Sequence, residues 1–277
     1  MQIKEPQFFG IHANPNKFFK KFLPIAPFLL ILCIYMSASY FRHQENPQDK
    51  ILPTITQMKD STHSMLFKED VRTGAYLMMA DTKASLKRLL IGVFMSAIVG
   101  LFLGLNIGLF PGLTSLAQTF MTFLSIVPPL AILPILFIAF GVEELAKIML
   151  IFVGTFPLIT RSIFQFVSKI PKEQVTKAFT LGATQLQVAY RVIMPQIMPR
   201  LIDNVRLSFG AGWLFLIAAE AIASTEGLGY RIFLVRRYLA MDIIIPYTLW
   251  ITFLGFSIDW GLRKFVEWKY PWYAETK

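Results

Sequence analysis

Chemistry in a protein needs side chains that hold a metal, attack a bond or move a proton, and here those side chains are scattered. His12, His43 and His63 lie far apart in the chain, without the spacing of metal ligands, and read as solvated surface. The single cysteine, Cys33, sits in an apolar run with no second thiol for redox chemistry, so it reads as a small hydrophobe. No Ser/His/Asp arrangement has a scaffold, and no Gly-x-x-x-x-Gly-Lys-Ser/Thr phosphate loop occurs. A membrane-embedded enzyme would need acids or histidines clustered at one interface, and none cluster. What stands out is polarity placed inside apolar stretches. Glu220, in Leu-Ile-Ala-Ala-Glu-Ala, is the sharpest case, because an ionisable group in a span faces a cavity or a partner. It reads either as a pore-facing group that gates or contacts a solute, or as a structural partner of Arg231, Arg236 or a backbone donor. Pro128, Pro129 and Pro134 interrupt another apolar run, freeing carbonyls that are tolerated only beside protein or a cavity. Ser125, Asn106, Gln118 and Trp213 offer polar or aromatic pore contacts, with helix packing as the simpler reading. Asp259 pairs by spacing with Arg263, and Arg161 is expected to snorkel to the membrane edge.

The elements that must position these residues are membrane spans. The chain has 277 residues, of which 55% are hydrophobic, 14% aromatic and only 16% charged, with a mean hydropathy of +0.55. A soluble domain of this length needs more polar surface. Runs of about 20 apolar residues are the natural account. Six are expected, at 22–41, 89–110, 116–140, 145–166, 205–223 and 243–262. Lys17, Lys20 and Lys21 before the first run resemble a signal peptide, yet the run is long for one and reads as an uncleaved helix. Gly100, Gly104 and Gly108, spaced by four, suit close helix contact.

Net charge is +10, but the charges fall outside the spans, so bilayer orientation explains them better than nucleic acid does. An even number of spans puts both ends on one side, and a slight excess of Lys and Arg makes that side cytoplasmic. The organisation expected is a cytoplasmic tail at 1–21, a transmembrane domain at 22–265 and a cytoplasmic tail at 266–277. An external loop with short helices occupies 42–88, and a cytoplasmic loop occupies 167–200.

That cytoplasmic loop contains VTKAFTLGATQLQVAYRVIMPQIMP, residues 175–199. Pro171 suits a first helical turn, and Val175, Ala178, Phe179 and Leu181 recur at helical spacing. Gly182 stands where a helix wants a left-handed ending, and Thr184 with Gln187 forms a capping-box pattern for a second helix. Pro195 is expected to end that helix. The result is a knuckle of two short amphipathic helices, which could pack on its own spans or project a ridge into a partner's groove.

Gly182, nine intervening residues and Val192-Ile193-Met194-Pro195 resemble the signature of ABC-importer permeases: Glu-Ala-Ala, three residues, Gly, nine residues, Ile, any residue, Leu-Pro. Thr176-Lys177-Ala178 takes the Glu-Ala-Ala position; Ala178, Gly182 and Pro195 match strictly, while Val192 and Met194 are conservative. FLSIVPPLAILPILFIAFGVEELAKIML (123–150) and FLIAAEAIASTEGLGYRIF (215–233) are similar to the nitrate/sulfonate/taurine/bicarbonate group of these permeases. The resemblance implies an all-α, six-span, type I importer fold, a translocation path involving Glu220, Trp213, Ser125, Pro128 and Pro129, and a coupling loop of Thr176, Lys177, Ala178, Gly182, Val192, Met194 and Pro195. It further implies a separate cytoplasmic ATPase dimer that holds ATP and magnesium, no cofactor in this chain, a second permease copy, and a periplasmic or lipid-anchored solute-binding protein. Thr176 departs from the family's acid, so a salt bridge there must be replaced or supplied by Lys172, Glu173 or Lys177. AEAIASTEGLGYRIFLVRRYLAMDIIIPY is similar to a subgroup associated with urea-carboxylase-type nitrogen metabolism. That subgroup implies urea or guanidine as solute, beside nitrate, taurine or alkanesulfonate. The rival class is a secondary transporter or channel that needs no ATP.

Overall fold

A computed structural model describes residues 17–47, 49–70 and 74–274. The expected tails at 1–21 and 266–277 therefore lie partly outside the described residues. The described chain is helical: α1 (Lys17–Phe22), α2 (Ala26–Glu45), α3 (Ile55–Phe67), α4 (Leu77–Leu109), α5 (Pro111–Leu124), a 3₁₀ turn (Pro129–Ile132), α6 (Leu133–Phe140), α7 (Glu144–Val167), α8 (Lys172–Thr180), α9 (Gln185–Gln187), a π-helical turn (Val188–Ile193), α10 (Met194–Ile222), α11 (Leu228–Arg236), α12 (Met241–Lys269) and α13 (Pro271–Ala274). Among the described residues four helices are long and apolar enough to cross a membrane: α4, α7, the continuous rod Gln185–Ile222, and α12. The pair α5 and 129–140, bent by 82°, makes a fifth if it counts as one broken span. The expected run at 22–41 is α2, whose last turn carries Arg42, His43 and Glu45 and whose surface is almost wholly exposed.

The centre of the fold is the contact between α4 and α7. Small residues recur every fourth position along α4, and each sits against a branched residue of α7. Gly92 faces Ile151, Gly100 faces Ile159, Gly104 faces Ile163 and Gly108 faces Val167. Between them the Thr155 hydroxyl donates to Ser96 Oγ at 2.7 Å, and Ser96 Oγ donates to the Gly92 carbonyl at 2.9 Å. Lipid provides no hydrophobic drive between helices, so backbone proximity of this kind is what holds them. The packing expected of Gly100, Gly104 and Gly108 is present, and Gly92 and Ser96 extend it.

The pairing climbs both helices in the same direction, so α4 and α7 are parallel. The segment between them must return the chain across the same thickness, and it does so through the break at Pro128 and Pro129. α10 runs the opposite way: Phe215 covers Gly154, Leu89 lies over Gly212, and the Ser162 hydroxyl donates to Asn204 Oδ1 at 2.9 Å. α12 crosses outside α10, with Gly255 against the Trp213 indole and Asp259 on Arg206 at 2.8 Å. Asp259 thus pairs across helices rather than with Arg263, as spacing suggested, because Arg206 on the neighbouring helix reaches it directly.

Two expected boundaries move. α4 has 33 residues, about 50 Å of helix, and its first three turns occupy 77–88, which the sequence assigned to a loop. The remainder of the 42–88 connection holds α3, begun by a capping box in which Gln57 N–H donates to Thr54 Oγ1 at 3.2 Å and Thr54 N–H to Gln57 Oε1 at 2.8 Å. The Arg42 guanidinium, 2.7 Å from Asp49 in this connection, holds that carboxyl below the usual carboxylate range. At the other end, 266–277 is docked rather than a free tail as far as it is described. The Tyr273 hydroxyl donates to Asp203 Oδ2 at 2.7 Å, and burial followed by this bond pushes its pKa up to about 12.

A side chain at Gly104 would place its Cβ 2.7 Å from Ile163 Cβ and 2.8 Å from the Thr160 carbonyl, so α4 and α7 would have to part. Gly104→Ile is expected to lower the thermal unfolding midpoint of the detergent-solubilised protein, at a cost near 3 kcal/mol. Gly261→Ala, with nothing within 4 Å of its Cβ, should not lower it. Equal midpoints for the two variants would show that this contact does not hold the pair.

Candidate functional site

Two polar structures sit at opposite ends of the bundle, the knuckle between α8 and α10 and a buried charge cluster where α4 and α12 begin. The knuckle is built by local rules. Gly182 has φ +82°, its N–H donates to the Phe179 carbonyl at 2.9 Å and Ala183 N–H to the Ala178 carbonyl at 3.0 Å, which closes α8 with a Schellman motif. Two residues later Gln187 N–H donates to Thr184 Oγ1 at 3.3 Å, and Thr184 N–H to Gln187 Oε1 at 2.9 Å. Val175 and Ala178 turn inward onto Val188, Ile193 and Ile197. Phe179, Leu181, Leu186 and Tyr190 turn outward, with Leu181 88% and Leu186 71% exposed.

The second helix does not stop at Pro195. It passes through the π-helical turn, in which Met194 N–H reaches back five residues to the Ala189 carbonyl, and continues as α10 to Ile222. Proline in a first turn breaks no helical bond, so Pro195 begins α10 rather than ending a helix. Of the coupling-loop residues, Thr176, Lys177, Gly182 and Pro195 are exposed, while Ala178, Val192 and Met194 are half-buried against the core. The Thr176 hydroxyl donates to the Lys172 carbonyl at 3.0 Å, one turn back in its own helix.

At the opposite end, Glu220 is fully buried and faces no open space. Its partner is Arg88, itself 1% exposed, whose Nη1 donates to Glu220 Oε1 at 2.6 Å. Ser85 Oγ donates to the same oxygen at 2.8 Å, and Gly229 N–H to Glu220 Oε2 at 2.9 Å. The rest of the Arg88 fork is bidentate on Glu144, at 2.6 and 2.7 Å. Arg231, which the sequence offered to Glu220, pairs instead with Asp81 at 2.8 Å, and Tyr247 and the Gly227 N–H also donate to Asp81. Arg236 lies over the Phe233 ring. The cluster thus joins α4, α7, α10, α11 and α12, and each buried charge has both a counter-charge and hydrogen bonds.

The Glu226-Gly227-Leu228-Gly229 turn fits this cluster sterically. Gly227 has φ +126°, and a Cβ there would lie 2.5 Å from the Glu220 carboxyl; one on Gly229 would lie 2.8 Å from Ile217 backbone. Leu228, fully buried, seals the turn, and its N–H donates to Ser85 Oγ at 2.8 Å. Asp81, Ser85 and Arg88 were missed in the sequence because 77–88 read as loop. Their i, i+4, i+7 spacing is the helical stripe that reveals them.

The other path residues separate. Trp213 is buried in the core against Gly255, its indole N–H without a hydrogen-bond partner, so it packs. Pro129 touches the space beside Gly154, and Pro128 is exposed at the bend. Ser125 caps α5 and accepts from Arg161 Nη1 at 3.4 Å. Among the described residues no group of His, Cys, Asp and Glu could hold a metal ion.

Residues 89–267, most of the bundle, match the family model of the binding-protein-dependent transport system inner membrane component. The chain belongs to that family. It is a transmembrane permease subunit of an ABC importer. The permease is 32% identical over 194 residues to the taurine transport system permease protein TauC of Escherichia coli, covering 70% of each chain. It is 30% identical over 196 residues to a probable ABC transporter permease of Brucella abortus, covering 69% of this chain and 78% of that one. It is 29% identical over 192 residues to the bicarbonate transport system permease CmpB of Synechococcus elongatus, covering 69% and 68%. Among solved structures it overlays the MetNI methionine ABC transporter in an inward-facing conformation with a TM-score of 0.61 at 18% identity, covering 69% of this permease and 95% of that chain. This likeness carries the fold.

Removing one partner from a buried ion pair leaves an uncompensated charge, at about 3–5 kcal/mol, whereas removing both costs far less. Glu220→Ala in this permease is therefore expected to lower the thermal midpoint sharply, and Arg88→Met with Glu220→Leu to recover most of the loss. Glu144, half-exposed, can be solvated in the double variant. A single variant as stable as the parent would show that the cluster does not brace the bundle.

Proposed function

We propose that this permease imports a small polar solute and takes its driving force from a separate cytoplasmic ATPase docked on the 175–195 knuckle. The observation that carries the reading is the outward ridge of Phe179, Leu181, Leu186 and Tyr190, held rigid by a Schellman closure and a capping box. Large apolar side chains on a stiff, exposed turn fit an amphipathic insertion into a partner's groove. Glu173 beside the ridge supplies the negative charge that Thr176 lacks, and Lys172 and Lys177 offer cations for pairs made elsewhere. The chain itself does no phosphate chemistry; ATP and magnesium belong to the partner. The working unit is two permease copies with two ATPase subunits, and a periplasmic or lipid-anchored binding protein delivers the solute to the end bearing the charge cluster. With α2 as a further crossing, both termini lie with the knuckle on the cytoplasmic side.

The relatives are named for taurine, sulfonates and bicarbonate, all solutes with an oxyanion group. Their chemistry favours a singly charged oxyanion over urea or guanidine for this permease.

Gly182→Asp and Leu181→Glu put charge and, at Gly182, left-handed strain into the ridge. Each is expected to cut the ATPase that copurifies with the permease at least roughly tenfold, as loss of a central anchor does. Insertion into the membrane should be unchanged. Copurification at the parent level would remove the knuckle as the docking element. Solute uptake by reconstituted permease without ATP or ATPase would instead support an ATP-independent carrier.

A further inference from the structure

Several cations on the spanning helices and beside them are paired with carboxylates. Arg88 is held by Glu220 and Glu144, Lys147 by Glu144, Arg206 by Asp203 and Asp259, and Arg231 by Asp81. Arg161 is among those that are not: the ion pairs among the described residues do not include it, and its polar contact is Ser125 Oγ, at the break of the neighbouring span, at 3.4 Å. It stands six residues, roughly 9 Å, before the end of α7, with the carboxylates nearest this depth, Asp203 and Asp259, already engaged on other helices. The side chain points at a neighbouring span, not along its own helix to the membrane edge as snorkelling would require.

The place it points to is the break in the fifth span. α5 ends at Leu124, the chain turns by 82°, and the next helical segment starts at Pro129. Neither Pro128 nor Pro129 has an N–H to return to the turn before it. The bend is exposed on this subunit, with Pro128 on the surface and Ile126 70% exposed. Irregular backbone at membrane depth is tolerated where it meets protein or a water-filled cavity, and an unpaired cation needs the same surroundings. Both observations fall on one spot.

We propose that Arg161, steadied by Ser125 at the broken span, binds the oxyanion group of the solute on the translocation path. A guanidinium suits this task, since its planar fork matches sulfonate, carboxylate or bicarbonate oxygens two at a time. The site sits in the knuckle half of the membrane, on a helix gripped by α4 along its length. A solute released from the outer end therefore reaches it before leaving toward the cytoplasm.

This inference rests on the importer reading, and the test separates the two. Wild-type permease with its ATPase and binding protein is reconstituted in proteoliposomes and offered taurine, methanesulfonate, bicarbonate, nitrate and, as an uncharged probe, urea. The expected result is ATP-dependent uptake of an oxyanion, lost at least about tenfold in Arg161→Gln and partly restored in Arg161→Lys with a raised half-saturating concentration. Copurification of the Arg161→Gln permease with its ATPase checks that the variant folds and assembles. ATP-dependent uptake of urea alone overturns the anion site while the importer reading stands. So does oxyanion uptake by Arg161→Gln at the wild-type rate, or equal failure of lysine and glutamine. Absence of ATP-dependent uptake of every probe by the wild type would count against both readings together.

Discussion

The structure depends on how closely the backbone of α4 can approach that of α7. A stripe of glycine and serine, one per turn, meets a stripe of branched residues on the facing helix, and no side chain intervenes. In lipid, where apolar surface has nothing to flee from, this proximity supplies the dispersion contacts that hold helices together. It also dictates topology. Two parallel helices in contact require a return crossing between them, and the break at Pro128 and Pro129 lies within that crossing. α10 and α12 then cover the pair from outside, which is why α7 is the most buried span and α12 the least, at 56% and 6% of their apolar windows.

Polarity is divided between the ends accordingly. Where α4 and α12 begin, ionised groups are sunk into the fold and neutralised by partners from five helices, so this end is rigid and specific. At the knuckle end, apolar side chains stand out in solvent on a turn stiffened by a Schellman closure and a capping box. One end invites no partner through its buried charges, and the other leaves large apolar side chains exposed. This distribution separates a buried, paired end from an exposed apolar end along a single bundle.

Much of this was legible in the residues. The knuckle's glycine ending and capping box appear where Gly182, Thr184 and Gln187 announce them, because such motifs are satisfied within a few residues. The glycine spacing on α4 pointed to close contact for the same local reason. Pairings across the fold were not legible. For Glu220 the sequence offered a pore or a partner in Arg231, Arg236 or a backbone donor; the Gly229 N–H is that donor, but the counter-charge, Arg88, lies 132 residues away. The error began with calling 77–88 a loop, since a charged, mixed stretch carries little hydrophobic periodicity even when it is helical. Pro195 misled in the opposite sense, as proline at the start of a helix looks in sequence like proline at the end of one.

That continuity through Pro195 has a mechanical side. From Gln185 to Ile222 the chain forms one rod of 38 residues, close to 57 Å long, with the outward ridge at one tip and the Glu220 cluster at the other. A lever of this length multiplies angle into travel: each 5° of tilt about one end carries the other roughly 5 Å. Along the rod regular helical bonding is interrupted only near its foot, by the π-turn, Pro195 and Pro199. A small rotation of the knuckle is therefore large by the time it arrives at the far face of the membrane.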